Sequence, residues 1–223
     1  MTPSHHLPFE LLLDHAVGAL APAMALLVEG HLALCPACRA EVAACTDVGG
    51  ALLGTIEPAP VADGAFARLM ARIDGEAAPR TVPVPAPMAA AVPAALPAMA
   101  QGLRRAFERT LARRNWRRVM PGVRLLDLDL PKAARSLAQM ISVDGGKAVP
   151  RHSHGGAEYT LVLAGGYSDA SGSFGPGDVQ ITDPSVMHKP VADRGETCVV
   201  YAVSAAPIRL AGPLGLVQRA LGR

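Results

Sequence analysis

Aromatic residues are scarce in this chain: one Trp, three Tyr and four Phe among 223 residues. Much of its apolar content is alanine, and cores built this way tend to be helical, with small side chains at helix contacts. A dominant charge is missing too, since a net +2 is too small to argue for nucleic acid or an acidic substrate. Four cysteines do not make a disulfide framework for this length. Cys35 and Cys38 are too closely spaced for a routine bridge, and a reduced pair suggests a cytoplasmic metal site. No basic region precedes the first apolar run, which Asp14 and His15 interrupt, so a secretory signal is not expected. Residues 81–103 carry no charge and are long enough to span a bilayer. Pro83, Pro85, Pro87, Pro93 and Pro97 fall within them, and alanine is a weak membrane partner. The expectation is a soluble, cytoplasmic protein.

What is present changes character twice. Residues 7–75 read as four helices, starting near Pro8, near Pro22, near Cys38 and near Asp63. In the fourth, Phe66, Leu69, Met70 and Ile73 fall at i, i+3, i+4 and i+7, one apolar stripe. Residues 79–101 are rich in proline and alanine and read as a semi-rigid extended linker. The arginine-rich run RRAFERTLARRNWRR follows, read as a solvated connecting helix in preference to a nucleic-acid patch, with Trp116 assigned to the first strand. From about 115 onward, short β-branched runs such as VRLLDLDL, EYTLVLAGG and TCVVYAVS are cut by Gly, Pro and Asp. Several short strands at such spacing indicate an all-β sandwich or barrel. The C-terminal PLGLVQRALGR reads as a short helix. The predicted organisation is an all-α domain over 1–78, a linker over 79–101 and an all-β domain over 102–223.

Two constellations carry chemistry. His31, Cys35 and Cys38 form H-x3-C-x2-C. On a helix His31 and Cys35 are one turn apart, and the break at Pro36 and Ala37 lets Cys38 turn back. Zinc in a structural role favours four such ligands in a closed tetrahedron. His6 is the preferred fourth ligand, with His5 and His15 as runners-up. Cys45 reads as core. Further on, GKAVPRHSHGGAEYTLVLAG spaces Gly146, His152, His154, Glu158 and Gly165 as G-x5-H-x-H-x3-E-x6-G. On a strand His152 and His154 face the same way, into a barrel. A second block supplies Gly177, Asp178 and His188. Three histidines and a carboxylate suit a borderline divalent ion: zinc first, with iron, manganese or nickel as options.

The first constellation resembles the zinc-binding anti-sigma domain, with His6, His31, Cys35 and Cys38 matching its pattern. That resemblance implies a Zn2+ ion and a partner, an extracytoplasmic-function sigma factor whose polymerase-binding surfaces the domain masks. The stripe of Phe66, Leu69, Met70 and Ile73 fits a helix that docks into such a partner, although such stripes are more often core. The second constellation resembles the first motif of the cupin superfamily, a double-stranded β-helix barrel. The second cupin motif is looser here, which makes His188 the less secure ligand. Joined in one chain, the two resemble ChrR-type anti-sigma factors. This implies a repressor of a stress regulon, released by singlet oxygen or organic hydroperoxides, with the cupin as sensor and no catalytic residue. The alternative is a cupin metalloenzyme, such as a dioxygenase, carrying a helical partner-binding domain.

Overall fold

A computed structural model describes residues 2–75, 99–130 and 136–212. Most of the expected linker and the expected C-terminal helix lie outside the described residues. Four helices precede that linker: α1 (Phe9–Ala16), α2 (Pro22–Leu32), α3 (Pro36–Leu53) and α4 (Ala65–Gly75). Proline opens α2 and α3, where its missing N–H forfeits no bond. The two helices meet at a bend of 120°. Cys35 therefore is the N-cap of α3, and its Sγ accepts from the Cys38 amide at 3.4 Å. The amide of Cys35 still bonds the His31 carbonyl at 2.9 Å, which carries the one-turn spacing across the break.

A fifth helix, α5 (Gln101–Leu111), corrects the expectation of a solvated connector. Its residues Leu103, Ala106, Phe107 and Thr110 are buried at i, i+3, i+4 and i+7, and its arginines lie on other faces. It packs on α2. Trp116 is not in a strand either. It precedes β1 (Arg117–Met120) and packs edge-on against Phe107, ring centroids 6.1 Å apart.

The remaining strands are β2 (Val123–Asp127), β3 (Leu137–Val143), β4 (His152–His154), β5 (Glu158–Ala164), β6 (Tyr167–Asp169), β7 (Gly172–Phe174), β8 (Val179–Thr182), β9 (Val191–Ala192), β10 (Cys198–Ser204) and β11 (Ile208–Leu210). One sheet runs β1-β2-β3-β10-β5-β8, and two small sheets, β11-β4 and β7-β6-β9, complete the architecture. All pairings are antiparallel.

The central strands of the large sheet, β5 and β10, contribute to cores on both faces. In β10 all seven residues are buried. Val199, Tyr201 and Val203 join a core shared with α1, α2, α3 and α5. Cys198 and Val200 alternate with them and join a second core inside the barrel. β5 divides the same way, with Leu161 and Leu163 toward the helices and Val162 toward the barrel. Helix α2 lies against the sheet closely enough that a Cβ on Gly30 would come 2.5 Å from Leu161 Cδ2. The Tyr201 hydroxyl donates to the Ala23 carbonyl at 3.0 Å, tying the sheet to the first turn of α2. The helices and the barrel thus share one core, whereas the sequence suggested two modules. α4 is the exception: none of its residues is buried. No single helix among the described residues is long and apolar enough to cross a membrane.

Candidate metal centres

The helical centre forms where three short segments meet. An extended strap, residues 2–8, carries His6; the end of α2 carries His31; the start of α3 carries Cys35 and Cys38. One ligand atom from each of His6, His31, Cys35 and Cys38 falls within 4.8 Å of the others. Cys35 Sγ lies 3.2 Å from His6 Nδ1, and Cys38 Sγ lies 3.2 Å from His31 Nε2 and 3.6 Å from His6 Nδ1. A tetrahedral shell with bonds of about 2.0–2.3 Å has edges of about 3.3–3.8 Å, so the spacing fits a single ion. The runners-up go elsewhere. His5 packs at a tilt against Phe174, centroids 4.4 Å apart, and its ring lies 3.5 Å from the Asp178 carboxylate. His15 ends α1 outside the group, and Cys45, half-buried on α3, is neither ligand nor deep core.

The tautomer of His31 follows from its partner. The Gly177 carbonyl, 2.7 Å from Nδ1, can only accept, so Nδ1 carries the proton and Nε2 turns its lone pair toward the sulfurs. Burial pushes the His31 pKa down, which keeps the ring neutral. Burial also raises the Cys38 thiol to about 11, so the thiolate needs a cation to exist at neutral pH.

The barrel centre is built from β4 and the segment after β8. His152 and His154 sit two apart on β4, and both are buried. His188 bridges to His152 through paired backbone hydrogen bonds of 3.0 Å, which brings its ring to the same point. The Nε2 atom of His188 is 3.0 Å from that of His154 and 3.1 Å from that of His152. Their other nitrogens decide what this means. His188 Nδ1 donates to Asp169 at 2.7 Å, and His152 Nδ1 donates to the Pro150 carbonyl at 2.8 Å. With the rings neutral, two lone pairs then face each other across 3.1 Å, an arrangement that calls for a cation between them. Desolvation, reinforced by neighbouring histidines, lowers His152 and His154 to about 4, which keeps protons from filling that role near neutrality. His154 Nδ1 is buried without a hydrogen-bond partner, so its tautomer is not fixed in this way.

Glu158 stands beside the histidine triad: its Oε2 is 3.4 Å from His154 Nε2. Burial raises its carboxyl to about 7, and a nearby cation would shift it toward the ionised form. The triad opens onto a cavity of about 450 Å³ inside the barrel, walled by apolar side chains such as Val143, Val200, Ile208 and Leu210. Cys198 lines the same cavity, which settles the direction in which its strand points it. Asp169 escaped sequence reasoning. Against burial, hydrogen bonds from Ser171, Gln180 and His188 hold its carboxylate down at about 2, and it orients His188. No spacing rule marks such a residue, because the sheet pairing brings it in from 19 positions away.

Residues 106–206 match the family described as the ChrR cupin-like domain. The anti-sigma-E factor ChrR of Cereibacter sphaeroides is 38% identical over 209 residues, covering 94% of this chain and 93% of that one. A crystal structure of Rhodobacter sphaeroides SigE in complex with the anti-sigma ChrR superimposes with a TM-score of 0.69 at 36% identity, covering 91% of this chain and 99% of that chain. The chain belongs to the ChrR family of anti-sigma factors. As a ChrR relative it is a regulatory protein and not an enzyme, so the dioxygenase alternative falls. The family fold of N-terminal helices followed by a cupin barrel is the one observed. Helix α4 stands apart from the shared core, with Phe66 76% and Ile73 56% exposed. That stripe covers no core of its own.

Proposed function

We propose that this chain sequesters an extracytoplasmic-function sigma factor and releases it under oxidative stress. The reading assigns 1–78 as the sigma-binding domain and 102–223 as the sensor, and rests most on one observation. Phe66, Leu69, Met70 and Ile73 form an exposed apolar stripe on a helix without a buried residue. Such a face fits a helix that docks into a partner groove. Val48, Leu52 and Leu53 on the second half of α3 are exposed as well. The complement is a 1:1 complex with the sigma factor, formed in the cytoplasm.

Under this reading His6, His31, Cys35 and Cys38 hold Zn2+ in a closed, structural shell. His152, His154 and His188, with Glu158, hold a divalent ion, Zn2+ being the first choice. A structural zinc supplies folding free energy, since ligand binding and local folding are coupled. His31, Cys35 and Cys38 are buried, and His6 closes the shell on its exposed side. The barrel ion faces a cavity and carries the sensing role. Replacement of His152 or His154 is expected to blunt the response.

The test is affinity capture of the full chain with its sigma factor, wild type against Phe66→Ala with Ile73→Ala. Retention of sigma by the wild type and its loss from the double variant, at unchanged thermal stability, supports the docking face. Equal capture by both removes it.

A further inference from the structure

The two candidate metal centres are not independent in space, because one four-residue stretch serves both. Gly177 and Asp178 form the turn leading into β8, and Gln180 is the second residue of that strand. At one end, the Gly177 carbonyl accepts from His31 Nδ1 at 2.7 Å. Asp178 Oδ1 accepts from the amides of Ser4 and His5 at 2.6 and 2.8 Å, which pins the strap immediately before His6. The approach is close enough to demand glycine. Gly177 has φ +91°, and a Cβ there would come 2.6 Å from Pro3 and 3.1 Å from Leu34. At the other end, Gln180 Nε2 donates to Asp169 Oδ2 at 2.9 Å, the same oxygen that accepts from His188 Nδ1 at 2.7 Å. Gln180 in turn accepts from the Tyr167 hydroxyl at 2.9 Å. Asp178 and Gln180 are both buried.

The geometry points to residues 177–180 as the coupling element of the molecule: the metal state of the barrel sets how firmly the helical centre keeps its own ion. Gly177 and Asp178 position two ligands of the helical centre, and Gln180, through Asp169, positions one ligand of the barrel centre. A shift of His188 moves Asp169 and Gln180, and the rigid strand carries that shift over two residues to the turn that holds His31 and the strap. The coupling is a free energy, so it is reciprocal: loading the helical centre tightens the barrel centre by the same factor. This inference rests on the reading that both groups bind metal, and it adds a route by which a signal in the barrel reaches the sigma-binding helices.

The experiment uses the full chain loaded with zinc. Metal content is measured first; a wild type holding no ion in one of the centres overturns the underlying reading. Transfer of zinc from the Cys35 and Cys38 centre to a chromophoric chelator is then timed in the wild type and in His152→Ala, which disables the barrel centre. The expected ratio of rates is about tenfold, faster in His152→Ala, within the usual range for coupled sites. The same pair is compared with Gln180→Met added, which leaves Gly177 and Asp178 in place but cuts the hold on Asp169. There the ratio is expected to fall to about one. A tenfold ratio that survives Gln180→Met, or equal rates in the first pair, overturns the coupling. Hydrogen exchange at the Ser4 and His5 amides gives a second readout that does not depend on the Gln180 variant folding. These amides are expected to exchange faster in His152→Ala than in the wild type, and unchanged exchange overturns the proposal.

Discussion

Leu161→Ala is the most informative single change for the shared core. Leu161 is fully buried on the outer face of β5, and α2 crosses directly above it at Gly30. Leucine-to-alanine changes in cores cost about 2.7–5 kcal/mol, and the figure depends on how far the site collapses. Collapse is restricted here. Gly30 has no side chain to swing into the void, and the Tyr201 hydroxyl holds the start of α2 to the sheet. The loss should therefore fall in the upper half of the range, about 4 kcal/mol. The assay is denaturant unfolding of the full, zinc-loaded chain, followed by circular dichroism and by the reactivity of Cys35 and Cys38 toward a thiol reagent. A shared core predicts that both probes report one transition, and that the variant shifts both together. A loss below about 1 kcal/mol would refute the packing argument. So would a shift of the circular dichroism alone, with the thiols still protected to the wild-type midpoint.

Asp169→Asn should lower the affinity of the barrel centre for its ion about 10–100-fold, read by competition with a chelator, because the group orienting His188 is weakened. Phe66→Ala should cost about 1–4 kcal/mol of sigma binding by calorimetry with thermal stability unchanged, since the ring is 76% exposed in the free chain. The metal-free chain should lose stability as pH falls from about 6.5 to about 4. His152 and His154 have folded pKa values depressed to about 4, so their contribution is complete above the unfolded value and is lost as pH falls through the folded one. Glu158, raised to about 7, runs the opposite way between about 4.5 and 7, and the two histidines outweigh it. A melting temperature flat across that range would contradict the burial of the triad.

Sequence spacing singles out side chains that lie together in the fold. The structure brings His6, His31, Cys35 and Cys38 to one point, and His152, His154 and His188 to another. Glu158 stands at the edge of the second group. Local geometry explains this, because helical and strand periods fix which neighbours share a face. His188 was harder to place because it arrives through a backbone bridge to His152, and a bridge leaves no spacing in the sequence. The shared core is legible in part. The strands TCVVYAVS and EYTLVLAGG lack the polar alternation of a sheet with one wet face, and that is the mark of burial on both sides. The stripe of Leu103, Ala106, Phe107 and Thr110 is likewise present in the sequence, interleaved with arginines whose charge masks its period. Asp169, Gly177 and Asp178 were illegible as supporting residues, because their partners lie far away along the chain.

Transcription in vitro tests the central claim most directly. Core polymerase and the cognate extracytoplasmic-function sigma factor are combined with the zinc-loaded full chain at rising concentration, and transcript from the sigma-dependent promoter is measured. The account predicts that transcription falls to background at one chain per sigma factor, and that Phe66→Ala with Ile73→Ala shifts the curve to much higher concentration. Transcription that persists at a molar excess of the folded, zinc-loaded wild type would contradict it.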